Sequence, residues 1–225
     1  GSPASSQGSK QFSSRLRRTL KNGDVYVGAW KDGKPHGSGT YTWTDTSEYT
    51  GDWWCGKKHG RGMYTWASGA VYDGEWELGI MKGIGEYESA DGTVYVGSWH
   101  DDERNGLGIK RYKNGDVYEG LWQNGKPEGP GMYRWTDGSE FNGEWVTGKM
   151  QGRGTMIWPQ GERYDGEWLD GKEHGRAEFS WPDTSFYDGL WQNGVRHGFG
   201  VWCPADQHLN TSKEGKEGKE GKEGK

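Results

Sequence analysis

The sequence predicts an all-β chain: an elongated, twisted antiparallel β-meander of about eight 23-residue hairpin repeats, forming a single-layer, solenoid-like sheet. Three observations predict it. An aromatic ring recurs every 23 residues, without insertion or deletion, at Tyr26, Tyr49, Tyr72, Tyr95, Tyr118, Phe141, Tyr164 and Tyr187. An unbroken period of this kind marks an array in which each unit stacks on its neighbours. Each ring opens the same phrase, aromatic-x-Gly-x-Trp, whose alternation by two is that of a strand. The composition fits a sheet better than a globule: 42 Gly and 15 Trp stand in a chain that is only 30% hydrophobic. Aromatics among glycines, with few aliphatics, make a sheet of rings laid over gaps and not a thick core.

The elements follow in chain order. Residues 1–19 read as a disordered lead carrying a cloning scar, with Lys10, Arg15, Arg17 and Arg18 as its only charges. The array spans 20–203, with repeats starting at 26, 49, 72, 95, 118, 141, 164 and 187. The segment Leu20-Lys-Asn-Gly-Asp-Val resembles the end of an earlier unit.

In the first repeat, Tyr26, Gly28 and Trp30 share one face of the first strand. Gly37, Gly39, Tyr41 and Trp43 share one face of the second. The polar stretch Lys31–His36 between them reads as the hairpin loop. The expected register pairs Tyr26 with Tyr41, Gly28 with Gly39 and Trp30 with Gly37, so that rings cover glycines. The connection to the next repeat, such as Ala90-Asp-Gly-Thr-Val94, supplies the positive φ of a tight turn. Eight units give about 16 strands.

Departures from the pattern are few. Asp102 replaces the loop glycine of repeat four, Ala177 the second glycine of the GxG in repeat seven, and Ser89 the second-strand Trp of repeat three. Residues 204–225 read as a disordered, charged tail. The array ends are expected to leave open edges, and so to invite homodimers, unless residues 10–25 and 203–212 fold back as caps.

Charge and cysteines limit the partners. Residues 20–203 carry 19 basic and 28 acidic side chains, which disfavours nucleic acid. Cys55 and Cys203 lie six repeats apart, too far for a disulfide, and free thiols favour a cytosolic setting. No glycine run carries the Lys-Ser/Thr of a phosphate loop. No setting exists for a nucleophilic serine, and recurring histidines lie about 10 Å apart per repeat, too far to share a metal. No catalytic residue, metal or cofactor is expected.

Two sets of residues are candidates for binding. The first is the aromatic ladder Tyr26, Trp30, Trp53, Tyr72, Trp76, Tyr95, Trp99, Tyr118, Trp122, Trp145, Tyr164, Trp168 and Trp191. Its first expected role is the buried core of each hairpin. Its functional role would be a groove for a peptide or helix, since a one-layer sheet cannot bury both faces. The second set lies in the hairpin loops: Lys34, Lys57, Lys126, Lys149 and Lys172, with His36, His59, His174 and His197. These residues would meet phospholipid headgroups, more strongly once the histidines protonate. Asp32, Asp101, Asp102, Glu103, Glu128 and Glu173 share those loops and offset the charge.

The repeated phrase YxGxWxxGxxxGxGxxxxxxG, in eight copies, resembles the MORN (membrane occupation and recognition nexus) repeat. The resemblance implies a twisted β-meander with an aromatic-lined groove. The phrases NGDVYVGAWKDGKPHGSGTYTWTD, NGDVYEGLWQNGKPEGPGMYRWTDGSEFNGEW and YDGLWQNGVRHGFGVW further resemble the N-terminal MORN region of plant-type phosphatidylinositol-4-phosphate 5-kinases. That resemblance implies a regulatory and targeting module, cytoplasmic and peripheral at the plasma membrane, whose partners are a protein segment, such as the attached kinase domain, and anionic phospholipid. The other reading is a stand-alone protein scaffold or dimerisation module that binds no lipid.

Overall fold

In the computed structural model, residues 16–205 are described. Seventeen strands form, and they fall into two compact units. The first runs to Lys113 and takes in Trp122–Gly125; the second comprises Asn114–Leu121 and the chain from Lys126 onward.

The first unit contains β1 (Leu16–Thr19), β2 (Val25–Lys31), β3 (Lys34–Thr42), β4 (Glu48–Trp54), β5 (Lys57–Thr65), β6 (Val71–Glu77), β7 (Ile80–Glu88), β8 (Val94–His100) and β9 (Glu103–Arg111). Strand β10 (Val117–Gln123) begins in the second unit, which continues with β11 (Lys126–Arg134), β12 (Glu140–Val146), β13 (Lys149–Ile157), β14 (Arg163–Leu169), β15 (Lys172–Ser180), β16 (Phe186–Gln192) and β17 (Val195–Cys203). From β1 to β9, and again from β11 to β17, each strand pairs antiparallel with the next.

Two of the three expected pairs hold. Tyr26 faces Tyr41 and Gly28 faces Gly39. Trp30 does not face Gly37: the register shifts after Gly28, and Trp30 faces Pro35. The cause is the glycine at the twelfth repeat position. In all eight repeats its φ is positive, from +61° at Gly60 to +91° at Gly106. Such a residue bends the strand and leaves the ladder on one side. Gly37 pairs instead on its other side, with Trp53 of the following repeat.

The hairpin loop is also shorter than expected. Lys31 pairs with Lys34, so the turn is Asp32-Gly33 alone, with φ of +50° and +72°. Two consecutive positive φ values match a two-residue hairpin turn whose twist suits the flanking strands. Lys34 to His36 are therefore strand, not loop. Each turn also ties to the repeat before it: the Gly56 N–H donates to the Pro35 carbonyl at 2.8 Å, and the Gly79 N–H to that of Lys58 at 2.8 Å. The longer connections use Gly at positive φ in most repeats and Thr46 or Thr184 in two, at +76° and +74°.

The lead differs too. Leu16–Thr19, expected to be disordered, is strand β1 and pairs with β2. The expectations for Lys10, Arg15, the tail and the parts of the end caps within 1–15 and 206–225 lie outside the described residues. Cys55 and Cys203 are free.

Candidate functional site

The aromatic ladder is the core. Tyr26, Tyr49, Tyr72, Tyr118, Phe141 and Tyr164 are 0% exposed and Tyr95 1%. Trp53, Trp76, Trp99, Trp122, Trp145, Trp168 and Trp191 are also buried; Trp30 is half-buried. The reason is local. In every repeat but the seventh, where Ala177 stands, the first-position ring lies over two glycines, so a Cβ at Gly39 would stand 2.3 Å from the Tyr26 hydroxyl oxygen. Each hydroxyl then donates to a carbonyl where the register shifts, as Tyr26 does to Ala29 at 3.1 Å and Tyr72 to Glu75 at 3.1 Å. Burial pushes the Tyr26 and Tyr95 phenols up to about 12.

Two indoles cage the ring edge-on in most repeats; among the described residues Tyr187, in the last, meets the indole of Trp191 only. Tyr26 meets Trp30 at 5.1 Å and Trp53 at 5.6 Å; Tyr49 meets Trp53 at 5.0 Å and Trp76 at 5.5 Å. Such pairs add about 0.5–1.5 kcal/mol each beyond the area they bury. The indole N–H in turn donates to the second glycine of the preceding GxG: Trp53 to Gly39 at 3.0 Å, Trp99 to Gly85 at 3.1 Å, Trp168 to Gly154 at 3.0 Å. Where Ala177 replaces that glycine, the Trp191 indole nitrogen is buried without a partner. Trp30, which has no earlier GxG behind it, is in the same position.

Burial in the core is thus the place of most of these rings, while Trp99 also borders a hollow on that face. A second row, half-buried, lies beside them on the same face. In the first unit it runs Tyr41, Trp43, Tyr64, Trp66 and Tyr87, with successive centroids 4.5, 5.3, 4.6 and 5.6 Å apart. In the second unit Tyr133 touches Trp135, and Phe179 lies between Trp158 and Trp181. Tyr41 and Trp43 were legible in the sequence as sharing a face. The continuation of that row from repeat to repeat was not drawn from it.

Cations rest on these rings. The Lys58 amine stands 3.7 Å from the Trp76 centroid and 4.2 Å from that of Tyr64. Arg104 lies over Trp122 at 4.7 Å, and Lys110 over Tyr112 at 4.2 Å. Burial pulls the Lys58 amine down to about 8, against a smaller opposing pull from Asp102. Sequence reasoning missed these residues. The signal was present at the tenth repeat position, one past the hairpin lysine, where Pro35, Lys58, Met81 and Arg104 succeed one another on the ring face.

The hairpin-end candidates sit apart from that row. Lys34, Lys57, Lys126, Lys149 and Lys172 are exposed first residues of β3, β5, β11, β13 and β15. Lys149 pairs with Asp170 at 3.0 Å. His36 and His59 accept backbone N–H groups at Nδ1, from Cys55 and Leu78, both at 3.4 Å. A doubly protonated ring cannot accept there, so acid would break these bonds rather than simply add charge. The His174 Nδ1 is buried without a partner, and His197 is exposed.

At the connections, Asp24 accepts from the Tyr41 hydroxyl at 2.6 Å and the Thr44 N–H at 3.0 Å. The Tyr41 bond first, against burial, holds the Asp24 carboxyl below its ordinary range. Burial raises the Asp116 carboxyl, but bonds from Asn114, Tyr133 and Thr136 outweigh it and leave it lowered.

The MORN repeat model matches residues 26–48, 49–71, 72–94, 95–117, 118–140, 141–163, 164–186 and 187–204. No curated protein matches the chain. Among solved structures, the G-box domain of the microcephaly protein CPAP is similar in fold, with a TM-score of 0.53 at 10% identity over 84% of this chain and 97% of that one. The TCP10 domain of Danio rerio CPAP, solved in complex with a peptide of Danio rerio STIL, has a TM-score of 0.45 at 11% identity over 79% of this chain and 84% of that one.

Proposed function

The chain belongs to the MORN repeat family, whose repeats are non-catalytic modules, and we propose that its array holds a protein segment against the second aromatic row. One observation carries this reading. Tyr41, Trp43, Tyr64, Trp66 and Tyr87 are joined ring to ring yet only half-buried. Large rigid rings with one side dry and one side wet are what recurrent protein interfaces are built on.

The wider role is a regulatory and targeting module beside a phosphatidylinositol phosphate kinase, with the attached kinase domain or its linker as the segment held. The phrase-level resemblance to the plant-type 5-kinases supports it. Contact with anionic phospholipid at the plasma membrane is supported by the exposure of Lys34, Lys57, Lys126, Lys149 and Lys172. A homodimer through the array ends is supported by β17, whose Phe199 is 92% exposed and Val201 67%.

The test is cross-linking of the array to its adjoining chain. Trp43→Ala and Trp66→Ala should abolish the cross-links while leaving the circular dichroism spectrum intact. Cross-links that survive both changes would move the interface elsewhere. Flotation with phosphatidic acid vesicles, with and without Lys→Glu at the five hairpin-end lysines, tests the lipid contact.

A further inference from the structure

The array is acidic as a whole, and in the first unit the acids of the strands outnumber Arg61, Lys82 and Arg111 on the face away from the rings. In the first unit, Asp52, Asp73, Glu75, Glu86 and Glu88 alternate with the buried rings along their strands, and so point to the face away from them. The ring face of the same unit carries Arg18, Lys58, Arg104 and Lys110, each over an aromatic ring. Among the described residues none of these four forms an ion pair. The far-side acids point away from the near-side cations, with the sheet between them, and so leave those cations without a carboxylate at contact.

Resting on the reading that the second row holds a protein segment, we infer that the ring face of the first unit selects an acidic, partly apolar peptide segment. Its carboxylates would seat on Lys58, Arg104 and Lys110. Its apolar side chains would enter the hollow walled by Trp66, Met81, Tyr87, Trp99 and Arg104.

The geometry favours a carboxylate at each point. Arg104 spends one N–H on the Gly125 carbonyl at 2.9 Å and keeps the rest of its fork for a bidentate partner. Lys58 is half-buried on apolar rings, where an opposite charge gains more than at an open surface. Asp102 and Glu103 stand at the rim of the hollow. Asp102 is engaged by the Met81 N–H at 2.8 Å and Glu103 is exposed; both repel a carboxylate at the rim, so the seats open to one are the cations on the rings, Lys58, Arg104 and Lys110. A basic segment would meet four cations on this face, and a flat anionic surface could not follow the rings into the hollow.

The experiment immobilises the full chain and selects from a random dodecamer display library. Enriched peptides should carry an excess of Asp and Glu and at least one aromatic or Leu. Affinity of a resynthesised peptide should fall at least tenfold on Lys58→Glu with Arg104→Glu. It should return in part when the peptide acids become Lys. The paired Lys58→Met, Arg104→Met variant keeps the side-chain stems and guards against misfolding; it should bind at least fivefold more weakly. Lys34→Glu with Lys57→Glu should change binding less than twofold.

Enrichment of neutral or basic peptides, lost on Trp66→Ala, would overturn the acidic preference and leave the ring-face reading standing. No enrichment at all would overturn both. Binding to vesicles of phosphatidylcholine with one-fifth phosphatidic acid, lost in the Met pair while no acidic peptide enriches, would also overturn the proposal.

Discussion

The Trp76 indole N–H donates to the Gly62 carbonyl at 2.8 Å, one hairpin back along the chain. The same ring closes the cage over Tyr49 at 5.5 Å. One side chain thus satisfies a buried carbonyl and seals a buried phenol in the preceding repeat.

Trp76→Phe should therefore cost more than Trp30→Phe. Trp76 is buried where Trp30 is half-buried, and only the first strands a buried acceptor, which costs about 1–3 kcal/mol. The Trp30 nitrogen has no partner to lose. Urea denaturation of the two variants checks this, and equal midpoints would contradict it.

Gly62→Ala should destabilise by about 1–3 kcal/mol, the usual range for overpacking a tight site. Its Cβ would stand 2.3 Å from the Tyr49 hydroxyl oxygen, and that ring is held on two sides by Trp53 and Trp76. Thermal melting and the near-ultraviolet circular dichroism of the tyrosines report the shift.

Asp91 should make the protein acid-sensitive in a defined window. The Ser89 hydroxyl first, then the Thr93 N–H, hold its carboxyl down at about 2, from an ordinary 3.8. A carboxyl lowered by folding lends stability above its unfolded value, and that stability is lost as pH falls through the folded one. The loss should lie between about pH 4 and pH 2 and vanish in Asp91→Asn. A carboxyl NMR titration with its midpoint at 3.8 or above would refute it.

Lys58 should titrate near 8, against an ordinary 10.5, because its amine is withdrawn from water onto Trp76 and Tyr64. With the folded value lowered, stability is greatest above the unfolded value and falls as pH drops toward 8. Below 8 the burial penalty on the charged amine is complete. Amine NMR should show Lys58 losing its proton near pH 8. Binding of an acidic segment should weaken as pH rises through 8.

The hairpin pairing of Tyr26 with Tyr41 and Gly28 with Gly39 was legible because an alternation of two fixes which residues share a face. The partner of Trp30 was not. Gly37 was read as one more ring-covered glycine, but its φ of +69° makes it the residue that turns the ladder aside. A glycine's reason, missing Cβ or positive φ, is not written in its letter. The buried state of the ladder was foreseen as its first role, whereas nothing in the letters of Lys58 and Arg104 sets them, half-buried on rings, apart from the exposed Lys57 and Glu103 beside them. Ala177 was visible as a departure; that it would leave the Trp191 nitrogen unpaired needed the backward bond, which no spacing reveals.

The backward reach of the indoles from Trp53 to Trp168 gives the protein an arrow. A hairpin fresh from the ribosome has its own tyrosine but not the tryptophan that will lid it, so maturation trails synthesis by one repeat. Trimming from the two ends is then unequal. Loss of the final hairpin strips Trp191 from the Tyr164 ring in what remains, whereas loss of an initial one idles an indole nitrogen.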